Sequence, residues 1–191
     1  MLLQLLLQIV DWIFGFFTFA LLARVVLQAT RAPYRNPLSQ FVIAVTDWAV
    51  VPARRLIPSA WGVDLPTLLL AWLTQCALHA LIYGLVVPTA ALTPAAVFAV
   101  ALFAALATLR LVVYLLIGAV IVSALLSWIN PYAPLAPIFN AVAQPLLRPL
   151  QRLIPPIGGV DLSPLALLLA LQVVLSLLSW MQHLVLPFSP L

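Results

Sequence analysis

The chain has 191 residues, of which 66% are hydrophobic and only 6% are charged, and its mean hydropathy is +1.24. A sequence with so little polar surface cannot cover a water-soluble globule, so we predict an integral membrane protein. The net charge of +4 comes from eight arginines against four aspartates, and arginines this sparse argue against a nucleic-acid-binding face, which needs a dense basic surface.

The first apolar run covers residues 2–28, which at about 1.5 Å per residue is long enough to cross a hydrocarbon core about 30 Å thick. It has neither a basic leader nor a cleavage site of small residues, so we expect a retained transmembrane helix. After a polar turn, Asn36 and Pro37 are typical of a helix start. Helical spacing then predicts an amphipathic helix over 37–51, which Pro52 ends and which is too short to span, so it is interfacial. The apolar face of this helix consists of Leu38, Phe41, Val42, Val45, Trp48 and Ala49.

The next apolar run, residues 65–87, predicts the second span. Thr93 and Pro94 are typical of the start of the third run, which extends over 95–129 and is longer than one crossing requires. Two crossings would need a turn near Arg110, where the sequence has no glycine or proline.

The distribution of arginines predicts the topology. Loops 28–64 and 130–161 carry arginines, whereas the connection 88–94 and both termini carry none, so both loops are predicted to be cytoplasmic. Two loops on the same side are separated by an even number of crossings. We therefore predict that 95–129 crosses once and that both termini lie outside. Residues 95–109 then form an outer or strongly tilted segment.

The rest of the chain repeats this order of elements. A second interfacial helix is predicted over 134–148. Asp161 or Ser163 is placed to cap the next helix, and residues 164–186 predict the fourth span.

A short motif occurs once in each half of the chain. PARRLIPSAWGVDL at 52–65 returns as PLQRLIPPIGGVDL at 149–162, with 9 of 14 positions identical at a constant offset of 97 residues. We therefore predict a tandem duplication, with one unit in residues 1–90 and the other in 91–191. Each unit contains two crossings, so the units are parallel repeats. The predicted fold class is an all-α membrane protein with four transmembrane helices and an interfacial amphipathic helix inside each unit.

Four arginines near the ends of the predicted interfacial helices are the main candidate binding residues: Arg54, Arg55, Arg148 and Arg152. Their planar guanidinium groups suit the phosphates of anionic lipid headgroups, or an acidic protein partner. The alternative is a purely topological role, in which they anchor the loops at the cytoplasmic surface.

Each repeated motif carries an aspartate before a span, Asp64 in the first copy and Asp161 in the second. The two could form an intramembrane ion site, but we expect each to cap its helix, in which case asparagine would substitute at a cost of about 1 kcal/mol or less. Asp11 and Arg110 lie inside predicted spans at similar depth, with Arg110 near the outer interface, and ionisable residues there tend to be paired. They could join the first and third spans in a salt bridge or reach the outer surface independently.

Polar residues inside the second and fourth spans leave further alternatives open. Gln75 and Gln172 match across the repeat and could line a polar path or form interhelical hydrogen bonds. Cys76 and His79 lie three positions apart on one helix face, but two ligands do not make a metal or haem site. We therefore predict no metal and no cofactor.

Three further motifs are similar to those of a known family: NPLSQ at 36–40, SWINPY at 127–132 and PLLRPLQRLIPPIGGVDLSP at 145–164. In this order, between these spans, the chain resembles the YggT family, also called YlmG. The resemblance implies a small bacterial inner-membrane protein with plastid relatives, and associations with osmotic-stress tolerance, cell division, cytochrome-complex maturation and nucleoid organisation. It implies no catalytic residues. The matching motif positions are Arg55, Pro58, Gly62, Asp64, Arg148, Arg152, Pro155, Gly159 and Asp161, and the chain departs from the family pattern at Ala60 and Trp61.

The sequence shows no nucleophile paired with a base, no phosphate-binding glycine loop and no metal cluster, so we do not expect an enzyme. We expect a non-catalytic membrane scaffold or assembly protein whose cytoplasmic face recruits anionic lipids and unknown membrane or division proteins, and a homo-oligomer is left open. The alternative is a transport- or channel-associated protein for ions or osmolytes, in which an oligomer builds a polar path from Gln75, Gln172 and aspartates. Spans made mostly of Leu, Ala and Val disfavour a conduit in the monomer.

Overall fold

The fold is helical throughout the part of the chain that the structure describes. The computed structural model describes residues 1–33, 36–57, 64–86, 93–154 and 161–185. Six helices follow one another in these ranges: α1 (Leu2–Ala29), α2 (Pro37–Leu56), α3 (Leu65–Val86), α4 (Pro94–Ile129), α5 (Ala136–Leu153) and α6 (Ser163–Val185). No strand occurs within the same ranges, so the predicted all-α class is confirmed.

Four of these helices, α1, α3, α4 and α6, are long and apolar enough to cross a membrane. Their bounds agree with the predicted spans to within one residue at each end. Large apolar side chains on them face outward, among them Trp12, Phe98 and Trp180. A bilayer covers such side chains, whereas contiguous exposed apolar surface is rare on soluble proteins. The chain is therefore a multi-pass membrane protein.

The predicted starts of α2 and α4 are confirmed by their capping hydrogen bonds. The Asn36 side-chain oxygen accepts the Ser39 N–H at 2.7 Å, and the Thr93 hydroxyl oxygen accepts the Ala96 N–H at 3.2 Å. A proline follows each cap and occupies the first helical position, where its missing N–H costs no hydrogen bond.

The two short helices do not end where their prolines predict. The sequence predicts the end of α2 at residue 51 and that of α5 at residue 148, but α2 continues through Pro52, and α5 through Pro145 and Pro149. Both predictions are wrong because a proline removes only one N–H donor, and the chain beyond it can still close a helical turn. In α2 that turn is closed by the Ile57 N–H, which donates to the Ala53 carbonyl at 3.0 Å.

The buried face of α2 also differs from the predicted apolar face. Val42 is buried as expected, but Phe41 and Trp48 are exposed. The face that packs inward instead includes Ser39 and Thr46, both buried. Period alone cannot distinguish the two faces in a membrane protein, because lipid accepts apolar side chains as readily as the helix bundle does.

Helix contacts follow the same pattern within each half of the chain. In the first half α1, α2 and α3 all pack on one another, and in the second half α4, α5 and α6 do so. The halves meet where α4 packs against α1 and α3, and where α5 reaches α1.

Both short helices pack against the C-terminal half of α1. Leu22 of α1 shares a buried cluster with Val50 of α2, and Leu27 of α1 shares another with Ile138 of α5. The two short helices therefore lie at the same end of the bundle.

One continuous helix, α4, covers the whole third apolar run. At about 1.5 Å per residue its 36 residues extend about 54 Å. The first third of α4 packs on α3: the Trp72 indole N–H donates to the Ala101 carbonyl at 3.1 Å, and the His79 ring meets the edge of Phe103 at 4.7 Å between centroids. Residues 95–109 are thus part of one continuous helix and pack within the bundle.

Candidate binding face formed by the short helices

The end of α2 is joined to the start of α3 by an ion pair. The Arg54 guanidinium forms a salt bridge with the Asp64 carboxylate through Nη2, and its Nε lies 3.4 Å from the other carboxylate oxygen. Thr67 donates its hydroxyl to Asp64 at 2.6 Å, and Arg54 also donates to the Gln28 side chain on α1 at 3.2 Å. Because α2 continues through its proline, Arg54 lies on the last helical turn, where a positive charge also complements the helix dipole.

The Asp64 side chain is fully buried, whereas 38% of the Arg54 side chain is exposed. Burial alone raises the pKa of Asp64, but hydrogen bonds from Arg54 and Thr67 and the positive charge of Arg54 outweigh it. The pKa of Asp64 therefore lies below its ordinary value, and the carboxylate stays ionised. Asp64 combines the predicted capping position with an ion pair that the sequence analysis did not include.

The second copy has the same connection with a neutral donor. Gln151 stands 97 residues after Arg54, and its side-chain amide donates to Asp161 at 2.8 Å. Asp161 also accepts the Ser163 N–H at 2.8 Å and is exposed. Hydrogen bonds from Ser163 and Gln151 lower the pKa of Asp161, and its slight burial opposes them less. Asp64 and Asp161 lie at the start of different helices, each bonded within its own half, so the structure does not bring them together in one ion site.

The arginine that follows each of these aspartate-bonded residues does not bond to an aspartate. Arg55 and Arg152, also 97 positions apart, are both exposed on the last turn of their helices. Neither forms a hydrogen bond or ion pair with the residues that the structure describes. Arg148 is exposed as well, and donates to the Gln144 side chain one turn earlier at 3.4 Å. Of the four predicted binding arginines, these three keep their charge exposed, whereas that of Arg54 is neutralised internally.

Sequence reasoning also missed a second ion pair, which joins α1 to α2. Arg24 is buried, with 7% of its surface exposed, and its Nη1 lies 2.7 Å from an Asp47 carboxylate oxygen. The same nitrogen donates to the Thr46 hydroxyl at 2.9 Å. The available signal was a lone arginine in an apolar run, followed by a short helix with a single aspartate. This contact explains why Thr46, and not Trp48, faces the bundle.

Asp11 and Arg110 are not paired in the structure. Arg110 of α4 instead donates to the Gln182 side chain of α6 at 2.9 Å and to the Tyr114 hydroxyl at 3.3 Å. Its guanidinium carbon also lies 5.7 Å from the centre of the Tyr114 ring. Asp11 is half-buried on α1. Arg110 therefore connects two helices of the second half and not the two halves.

The two glutamines that match across the repeat occupy different environments. Gln75 is buried and donates to the Thr18 hydroxyl at 3.1 Å, which joins α3 to α1. Gln172 is exposed on α6, and only its backbone carbonyl accepts a bond, from Ser176 at 3.0 Å. Gln75 thus forms the interhelical hydrogen bond that was one of its two predicted roles, and Gln172 does not share it.

No three of the described His, Cys and Asp side chains come together as metal ligands. Cys76 is half-buried, and His79 packs on Phe103 as described above.

Comparison with known proteins identifies the family. The family model described as CCB3/YggT matches the chain over residues 3–85 and 102–182. The chain belongs to the CCB3/YggT family. The resemblance inferred from the motifs is thereby confirmed, and each matched stretch falls within one predicted repeat unit.

Several relatives align with most of the chain. An uncharacterized protein of Vibrio alginolyticus, encoded in the proC 3' region, is 34% identical over 86% of this chain and 88% of its own length. The protein YggT of Escherichia coli K12 is 33% identical over 83% of this chain and 80% of its own. An uncharacterized protein of Pseudomonas aeruginosa is 35% identical over 80% and 77%, respectively. No solved structure matches the chain significantly.

Proposed function

We propose that this CCB3/YggT-family protein is a non-catalytic scaffold or assembly protein of the bacterial inner membrane. Its two short helices recruit lipids and protein partners on the cytoplasmic side. The observation that carries this proposal is that two neighbouring residues at the end of each short helix have different roles. Arg54 or Gln151 bonds to the aspartate that precedes the next span, while the next residue, Arg55 or Arg152, is exposed and has no such bond.

The topology that we propose places both short helices in the cytoplasm and both termini outside. It is supported by the arginine-bearing loops, which favour the cytoplasm, and by the packing of both short helices against the same end of α1. The parallel tandem repeat is part of this proposal. It is supported by the identical order of helices and by the 97-residue offset between Arg54 and Gln151, the two residues that bond to the aspartates of the motif.

The bonding of polar groups inside the spans favours a scaffold over a conduit. Arg24, Gln75 and Arg110 each bond to a side chain on a neighbouring helix, which fastens the bundle together. Fixed interhelical bonds of this kind rigidify a frame on which other proteins can assemble. The roles associated with the family, in osmotic-stress tolerance and cell division, then follow from what is assembled on the cytoplasmic face.

The second candidate function is transport of ions or osmolytes by an oligomer. It is favoured by one observation: a buried polar pair, Gln75 and Thr18, lies inside the spans of the first half. Polar residues at such positions mark many transport paths.

Ion flux through the purified chain in liposomes under an osmotic gradient separates the two functions. A scaffold predicts that liposomes with folded protein are as tight as empty liposomes. Flux that falls when Gln75→Leu is introduced, but not when the matched exposed residue is changed by Gln172→Leu, contradicts the scaffold and makes the Gln75 region a transport path.

A further inference from the structure

We propose that the exposed face of α5 binds the headgroup of an anionic phospholipid through Arg148 and Arg152. This inference rests on the proposed function and deepens it, because it names the ligand of one short helix. It also distinguishes α5 from α2, which the duplicated motif alone does not.

Two exposed arginines stand one turn apart on α5. Arg148 and Arg152 are separated by four residues, a spacing that places side chains next to each other on one helix face, with Cβ atoms about 6 Å apart. Both guanidinium groups can therefore approach the phosphate of one headgroup. Gln144, one turn before Arg148, accepts a hydrogen bond from it and so orients that guanidinium without neutralising it.

The first short helix lacks this arrangement. The positions of α2 that correspond to Arg148 and Arg152 are Val51 and Arg55, so only one of the two is basic. The remaining arginine of that helix, Arg54, is engaged by Asp64. The basic side chains of α5 are thus the pair suited to a phosphate, whereas the end of α2 is built mainly for attachment to α3.

The apolar side chains around α5 favour a lipid over an acidic protein as the ligand. Tyr132, just before α5, is 95% exposed, and Leu153, in its last turn, is 77% exposed. Trp128, at the end of α4, is 72% exposed. Aromatic and aliphatic side chains in such positions are stable at the boundary between headgroups and acyl chains, where arginines meet lipid phosphates. The helix therefore has the composition of an element that lies at the bilayer surface.

The test measures binding of phosphatidylglycerol and phosphatidylcholine to the purified full chain by native mass spectrometry. The α5 variant combines Arg148→Gln with Arg152→Gln. Its matched control combines Arg31→Asn with Arg35→Gln, which removes the same charge from two arginines that precede α2 in the chain. Asparagine is chosen at position 31 because the backbone there has a φ of 51°, which asparagine tolerates well. Far-ultraviolet circular dichroism confirms that both variants keep the helical fold.

We expect the wild type to bind phosphatidylglycerol more tightly than phosphatidylcholine. Each interfacial arginine is worth about fivefold in affinity, so the α5 variant should lose about 25-fold and the control about fivefold or less. An equal loss in both variants, or no preference for phosphatidylglycerol in the wild type, overturns the inference. If the wild type shows no preference for phosphatidylglycerol and the liposomes of the flux assay stay tight, the scaffold proposal still holds, with an acidic protein as the partner. Flux in the liposome assay overturns the scaffold proposal whatever the lipid-binding result.

Discussion

The same aspartate of the repeated motif has a different environment in each half of the molecule. Asp64 is fully buried and bonded to Arg54, whereas Asp161 is exposed and bonded to Gln151. The bonded partner is charged in the first half and neutral in the second, because Gln151 stands at the position that matches Arg54. The two aspartates therefore provide matched variants within one chain.

We predict that Asp64→Asn destabilises the protein by about 2 kcal/mol. Breaking a fully buried pair typically costs about 3–5 kcal/mol, but Arg54 is more than a third exposed and regains water. Asp161→Asn should cost less than about 0.5 kcal/mol, because asparagine caps a helix as well as aspartate does. Unfolding in mixed detergent micelles with increasing SDS measures both variants. Equal costs in the two variants contradict a special role of the ion pair.

The depressed pKa of Asp64 also predicts how this difference depends on pH. A carboxyl group whose pKa is lower in the folded state stabilises that state fully above its unfolded pKa, and the contribution is lost as pH falls through the folded pKa. The stability gap between wild type and Asp64→Asn should therefore stay constant from pH 7 down to about 4 and shrink below that. A gap that already closes between pH 7 and 5 shows that another group controls it.

Replacing both members of the Arg24 and Asp47 pair should be less harmful than replacing one. Asp47→Leu alone leaves the buried Arg24 charge with only the Thr46 hydroxyl, and we expect a loss of about 2 kcal/mol or more. The double variant Arg24→Met with Asp47→Leu should recover most of that loss, because an apolar pair needs no compensating charge. If the double variant loses as much stability as the two single variants added together, the two residues are not coupled.

The partner of Arg24 could not be chosen from the sequence. Arg24 lies within reach of no charged residue along its own helix, and three other aspartates besides Asp47 were available in the chain. The choice depends on how α2 folds back onto α1, which is a long-range contact that local periodicity does not report. By contrast, the capping positions of Asn36 and Thr93 were predictable, because a cap depends only on neighbours within one turn.

Individual helix pairs are joined by hydrogen bonds that differ between the two halves of the chain. The bond from Gln75 to Thr18 fastens α3 to α1, but the matching Gln172 lies on an exposed face of α6. In the second half, α4 and α6 are joined instead by Arg110 and Gln182. The two halves therefore have the same order of helices but different side-chain hydrogen bonds between them.

Gln75→Leu should destabilise the protein by about 0.5–1.5 kcal/mol, the usual worth of an interhelical hydrogen bond between membrane helices. Gln172→Leu should be neutral or slightly stabilising, because it removes an exposed polar group from an apolar helix. The same SDS titration measures both. A larger cost for Gln172→Leu than for Gln75→Leu contradicts the assignment of Gln75 to the α1 and α3 contact.

The four long helices could be predicted almost completely, and the short ones less well. A long apolar run in a membrane has to form a helix, because lipid offers no partners to its backbone groups, and the ends of that helix are set by the first polar or proline residues. The ends of α2 and α5 depend on whether a helix tolerates Pro52 or Pro149, and that depends on contacts beyond the proline. In α2 the inward ion pair of Arg54 provides such a contact.

At the scale of the whole molecule, the proposed function requires both short helices to lie on one side of the membrane. They pack against the same end of α1, and each carries an exposed arginine on its last turn, Arg55 in α2 and Arg152 in α5. A scaffold face, and the lipid-binding pair on α5 within it, exist only if that end of the bundle is cytoplasmic. The location of this end is therefore the central claim.

Labelling of single cysteines with a membrane-impermeant maleimide tests this claim most directly. In a Cys76→Ser background, the variants Gln40→Cys, Tyr132→Cys and Thr93→Cys place one thiol each at an exposed position and leave every arginine intact. We predict that Gln40→Cys, at the start of α2, and Tyr132→Cys, before α5, react only from the cytoplasmic side. Thr93→Cys, before α4, should react only from outside. Labelling of either Gln40→Cys or Tyr132→Cys from outside would contradict the cytoplasmic location of this face.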